Sequence, residues 1–114
     1  MIFTEAKTKG IEKSFAQLET TMKGLGFLRW SWDYEKVTYD LEYNTEKGNY
    51  YLRFPGRVIG DKQLEHPKAQ VRLHDPVFIQ HFFPHGVDDT VEVPSELNDQ
   101  VIAKIAEVEA ALKK

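Results

Sequence analysis

Leu28-Arg29-Trp30-Ser31-Trp32-Asp33-Tyr34-Glu35-Lys36-Val37-Thr38-Tyr39-Asp40-Leu41-Glu42-Tyr43 is the stretch on which the fold turns. Apolar and polar side chains alternate on both sides of a short polar gap, the period-two pattern of two strands with one buried and one solvated face. Strands this close must form a hairpin. Pairing Trp32 with Val37 leaves residues 33–36 as a loop of permitted hairpin length and sets Trp30 opposite Tyr39 and Leu28 opposite Leu41. A second hairpin follows through residues 45–48, where Gly48 suits a left-handed turn position. It sets Tyr43 opposite Tyr50, Leu41 opposite Leu52 and Tyr39 opposite Phe54. On the other face the same registers align Arg29, Asp40 and Arg53 as an alternating charge ladder, each opposed pair contributing ~0.2–1 kcal/mol. A one-residue slip would lose that ladder and turn the core outward. Both tryptophans and all five tyrosines lie between Trp30 and Tyr51, so this window locates the sheet. Trp30, Trp32, Tyr39, Tyr43 and Tyr50 are expected on its core face, and Tyr51 on its outer face.

Working outward, Phe15, Leu18, Met22 and Leu25 step by three or four, which predicts a helix over 14–23. Ser14 and Gln17 have capping-box spacing at its start, and Gly24 and Gly26 suit its end. The first ten residues read as an extended lead-in. The third strand runs past Pro55-Gly56 toward Val58 and Ile59, and a fourth runs from about Ala69 to Phe83 with Asp75-Pro76 in its middle. Each proline removes a ladder donor. Matching Leu52 with Ile79 and Phe54 with Val77 sets the two breaks nearly side by side, giving a long bent hairpin whose tip, 60–68, is polar and expected to be mobile. A last helix begins near Pro94, a favoured early-turn residue, and carries Leu97, Val101, Ile105, Val108 and Leu112 on one stripe. The expected architecture is a single α+β domain over 1–114. It is a two-layer sandwich of a four-stranded antiparallel meander with an N-terminal and a C-terminal helix on one face.

Composition narrows the function. With 114 residues, 41% hydrophobic and 29% charged, the chain can bury one core and does not have a disordered composition. Fifteen Lys plus Arg against 18 Asp plus Glu give a net charge of −3, with no basic cluster suited to neutralising phosphates, so nucleic acid is not an expected partner. Cysteine is absent, which excludes disulfides, thiolate nucleophiles and zinc-thiolate sites. No signal pattern and no stretch near the ~20 apolar residues of a membrane span occur, and a cytoplasmic address is expected.

The run from Gly26 through Trp30-Ser31-Trp32-Asp33-Tyr34 to Asp40 resembles the strand-turn-strand signature of the YugN-like family. The preceding helix, the strand Tyr50-Tyr51-Leu52-Arg53, the His85-Gly86 segment and the helix after Val93-Pro94 also fit, so the resemblance spans most of the chain. It implies a small, soluble, cytoplasmic bacterial protein of a family with no assigned activity, found chiefly in spore-forming Gram-positive bacteria. It supplies no catalytic residue and no cofactor.

Four constellations could carry chemistry. His66, His74, His81 and His85, with Asp75, Asp88 and Asp89, have metal-ligand composition. His81 and His85, however, lie about four strand rises apart, roughly 13 Å, so no metal site is assigned. His81 falls on the expected core face beside Tyr50, and His81, His85, Tyr43 and Tyr50 could together line a small-ligand pocket at the loop 84–89. The Arg29, Asp40, Arg53 ladder could hold an anion, although such rows more often fix register on a solvated face. Finally Tyr51, Phe78 and Phe82 fall on the outer face of the third and fourth strands, where exposed aromatics mark an interface. The leading reading is a non-enzymatic interaction module that forms a homodimer through that face, with covering by the N-terminal segment as the simpler explanation. The alternative is a ligand-binding protein or enzyme using the histidine and tyrosine pocket.

Overall fold

The computed structural model describes residues 1–82 and 86–113, apart from the side chains of Ser31, Phe82 and Val87. Its elements are β1 (Glu12–Ser14), α1 (Phe15–Gly24), β2 (Leu28–Trp32), β3 (Lys36–Thr45), β4 (Gly48–Ile59), β5 (Gln70–Leu73), β6 (Val77–Phe82), β7 (Gly86–Asp88) and α2 (Ser95–Leu112). All pairings are antiparallel, in the order β1-β5-β4-β3-β2, with β6 also on β4 and β7 on β6. The fold is α+β, with the expected meander at its centre. The sheet nevertheless has more strand segments than the four expected.

The extra segments come from the fourth strand and the edges. β4 runs unbroken through Pro55 and Gly56, pairing with β6 over Asn49–Arg53 and with β5 over Gly56–Ile59. The break at 74–76 thus divides the expected fourth strand into β6 and β5, laid end to end along one side of β4. His74 bridges it by donating its amide to the Pro55 carbonyl at 2.9 Å. β1 and β7 then extend β5 and β6, and the lead-in adds an Ile2–Val77 bridge.

Gly56 sits where β4 changes partner, and there the chain leaves no room for a side chain. A Cβ on it would lie 2.7 Å from Val71 Cγ1 and 3.3 Å from Leu73 Cδ2.

The core lies between the sheet and the two helices. Leu18 and Met22 of α1 and Val101 and Val108 of α2 are fully buried in one cluster with Tyr39, Leu52, Phe54 and Phe78. Both helices therefore cover the same sheet face. α1 starts where expected because Ser14 Oγ accepts the Gln17 amide at 3.2 Å, satisfying one of the orphan donors of a first helical turn. The α2 stripe of Leu97, Val101, Ile105, Val108 and Leu112 is buried throughout.

Two registers differ from expectation. The β3–β4 ladder is as read, with Tyr39 opposite Phe54, Leu41 opposite Leu52 and Tyr43 opposite Tyr50. In β2, Trp32 pairs with Val37, but a bulge between Arg29 and Ser31 sets Arg29 opposite Tyr39 and Leu28 opposite Asp40. The extra residue is Trp30, and its insertion reverses the facing of everything before it. In β6, Phe78 rather than Ile79 opposes Leu52. Phe78 goes inward, stacked 5.4 Å from Tyr50, and Ile79 goes to the outer face. A run of consecutive apolar residues satisfies either parity, and the register that buries the larger aromatic prevails.

The loop 60–68 also differs from expectation. Leu64 is 3% exposed and belongs to the core cluster, its amide donating to the Tyr34 carbonyl at 3.1 Å. The tip is thus anchored.

Gly56→Ala is expected to destabilise the fold by about 1–3 kcal/mol, the usual range for overpacking a close-packed site. Urea unfolding, read as a shift in midpoint at unchanged slope, measures it.

Candidate functional site

The bulge at Trp30 shapes the outer sheet face. Trp30 stands there 57% exposed and Leu28 66% exposed, both beyond the reach of the helices. The Trp30 ring leans to 6.1 Å from Tyr51, and Tyr51 meets the edge of His81 at 6.2 Å. An aromatic row thus crosses the sheet from β2 through β4 to β6. Beneath it lies a charge pair. Arg53 donates from Nε and Nη2 to the two oxygens of Asp40, each at 2.8 Å, the bidentate geometry that makes guanidinium–carboxylate pairs strong. The Asp40 side chain is only 3% exposed although no helix covers this face. Beside it Tyr51 donates to Glu42 at 2.7 Å, and that hydrogen bond raises the Tyr51 pKa. At the far end of the same face Lys36, Arg57 and Arg72 stand directly opposite one another across β3, β4 and β5. Arg72 is paired with Glu12 at 3.0 Å.

Arg29 does not join Asp40 and Arg53. The bulge turns it to the helix side, where its Nε is 3.3 Å from Glu19 and its Nη1 donates to Glu65 at 2.7 Å. Its guanidinium lies 4.5 Å from the Trp32 ring centre and 5.2 Å from that of Phe15, a cation held between two π faces. Glu19 also accepts from the Tyr39 hydroxyl at 2.6 Å and pairs with Lys23 at 2.9 Å. Burial first, and then the Glu19 carboxylate, push the Tyr39 pKa far above its ordinary value.

The proposed interface and pocket sets are rearranged. Of Tyr51, Phe78 and Phe82, Tyr51 is on the outer face, whereas Phe78 is fully buried in the core. The Phe82 backbone pairs with Gly86, and its side chain lies outside the described residues. Of the pocket set, Tyr43 and Tyr50 face the helices beside Phe78. His81 is on the opposite face, opposite Asn49, so these residues do not converge. His85 lies outside the described residues. Tyr50 is 5% exposed, and burial raises the pKa of half-buried Tyr43. Among the described residues no three His, Asp or Glu side chains gather as a metal site, and no helix is long and apolar enough to cross a membrane. Sequence reasoning missed Leu28, Trp30 and Ile79 on the outer face and the roles of Glu19 and Glu65. Only the uninterrupted apolar run in β6 signalled that its parity was open.

The family model described as YugN-like matches residues 4–111. The chain belongs to that family. YugN-like relatives extend the match. The uncharacterized protein YlbA of Bacillus subtilis (strain 168) is 32% identical, over 97% of this chain and 94% of its own length. The crystal structure of the uncharacterized conserved protein YugN from Geobacillus kaustophilus HTA426 superposes with a TM-score of 0.85 at 32% identity. That match covers 99% of this chain and 95% of the other.

Two outcomes test the site's electrostatics. Asp40→Ala should cost about 1.5–3 kcal/mol, the range for a hydrogen-bonded charged group, measured by urea unfolding. Tyr39 in the unfolded chain ionises near about pH 10, whereas in the fold it keeps its proton. Its contribution is therefore complete below about pH 10 and is lost as pH rises further. Tyr39→Phe should lower stability by about 0.5–1.5 kcal/mol at neutral pH and flatten the alkaline fall, read by unfolding at neutral pH and above about pH 10.

Proposed function

We propose that this YugN-like protein is a non-enzymatic interaction module that forms a homodimer by stacking the outer sheet faces of two copies. The observation that carries the reading is the uncovered outer face. Leu28 and Trp30 are 66% and 57% exposed there, beside Tyr51 and His81. Large apolar groups left on one side of a sheet favour a partner that removes them from water.

Charge favours a second copy as that partner. The face carries Glu42 toward one end and the Lys36, Arg57, Arg72 row toward the other. Like charges directly opposed across a sheet are unfavourable; Glu12 already answers Arg72, so it is Lys36 and Arg57 that gain from a further acidic counterpart. A two-fold axis that reverses strand direction brings each Glu42 toward the other copy's cations, as a self-complementary interface requires. The Trp30 and Tyr51 rings then fill the centre, where aromatic anchors contribute most.

Sedimentation velocity between ~1 and ~100 μM should report a dimer, and Trp30→Ala and Arg57→Glu should each weaken it at least ~10-fold, as hot-spot and charge-reversal changes do. A monomer throughout that range would overturn the reading.

A further inference from the structure

Glu65 is the only non-glycine residue with a left-handed φ, +83°, among the described residues. The His66 amide donates to the Gln63 carbonyl at 3.2 Å, closing a turn whose third residue is Glu65, and glutamate is an unfavourable residue for the left-handed φ that position takes. Its carboxylate is 2.7 Å from Arg29 Nη1, yet the Glu65 side chain is 58% exposed, and so exposed a pair holds a loop only weakly. Leu64, buried next to it, already anchors the loop. Neither the backbone nor the ion pair therefore explains an acid here as a simple fastening.

The surroundings suggest another role. The Arg29 side chain is 19% exposed, its guanidinium fixed between Trp32 and Phe15 and tied at Nε to Glu19. One donor is thus oriented toward Glu65 and shielded from water, a prepared carboxylate position. Glu65, the acid that Arg29 holds, also lines a hollow of about 270 Å³ together with Trp32, Asp33, Tyr34 and Leu64. Two aromatics and a leucine form its apolar part. The one other acid, Asp33, is committed through Oδ1 to the amides of Glu35 and Lys36 at 2.7 and 2.8 Å.

We propose that Arg29 is a carboxylate-binding site occupied from within by Glu65, and that a small aromatic carboxylate exchanges for it, its ring in the Trp32, Tyr34 and Leu64 hollow. The site lies on the helix side, away from the proposed dimer face, so either reading can fail without the other.

The test uses full-length protein carrying Trp30→Phe, which leaves Trp32 as the only indole. Its fluorescence is followed during titration with benzoate and, separately, with benzamide. Glu65→Gln should bind benzoate at least tenfold more tightly than the parent carrying Glu65, and benzamide should bind neither protein measurably. Adding Arg29→Lys, which keeps the charge but loses the fork, should remove most of that gain. Glu65→Gly, with both the acid and the backbone strain gone, should behave like Glu65→Gln and serves if the latter folds poorly. Equal benzoate affinity with and without the Glu65 carboxylate, benzamide binding as well as benzoate, or no response in either Glu65 variant would overturn the proposal.

Discussion

The ten-rung ladder between β3 and β4, from Lys36 opposite Arg57 to Thr45 opposite Gly48, is the constraint on which the other elements depend. Inward it aligns Val37, Tyr39, Leu52 and Phe54, a buried platform against which both helices pack. Outward it aligns Asp40 with Arg53 and Glu42 with Tyr51. Slipping it by one residue would exchange those two sets, burying charges and exposing aromatics together. The other strands extend outward from the two edges of this ladder. β2 joins one side, β6 and β5 share the other, and β1 and β7 extend those in turn.

The readable parts of the sequence were those where two demands agreed. In β3 and β4, alternation and cross-strand charge both chose one register, and that register is the one found. In the helices, the stripe and the Ser14 cap agreed likewise. β2 departs from its clean alternation because a strand at the sheet margin has little core to face. Arg29 finds two carboxylates and two rings on the helix side, and a bulge at Trp30 accommodates it. β6 was misread because Val77, Phe78 and Ile79 are all apolar, so hydrophobicity alone could not choose a parity. The candidate sites depended on these two strands. The Arg29, Asp40, Arg53 ladder kept its second half, Tyr51 kept its outward position, and the Tyr50 and His81 pairing fell to opposite faces. Glu65 was illegible because its partner is 36 residues away, through a loop with no periodicity.

The two faces of this YugN-like sheet solve different problems. The helix side buries a continuous hydrocarbon core and gathers polar groups at its margin, where Glu19 collects Tyr39, Lys23 and Arg29. Hydrogen bonding there satisfies groups that burial would otherwise penalise. The outer side has no helical cover and organises itself through ring contacts and paired charges. A bulge, a feature enriched at sheet edges, is what hands Trp30 from one problem to the other.

The Asp40 and Arg53 pair has a consequence for association. Its carboxylate is withdrawn from solvent in the lone chain, side-chain exposure being 3%, although it sits on the face without helices. Ion pairs at interfaces are commonly neutral in effect because their charges must shed water as the partner arrives. Here the Asp40 carboxylate has shed most of its water during folding, and both its oxygens are already engaged by Arg53. A partner on this face, as proposed, would cover exposed aromatic rings above a carboxylate already withdrawn from water, so the centre of such a contact would add little new dehydration of charge.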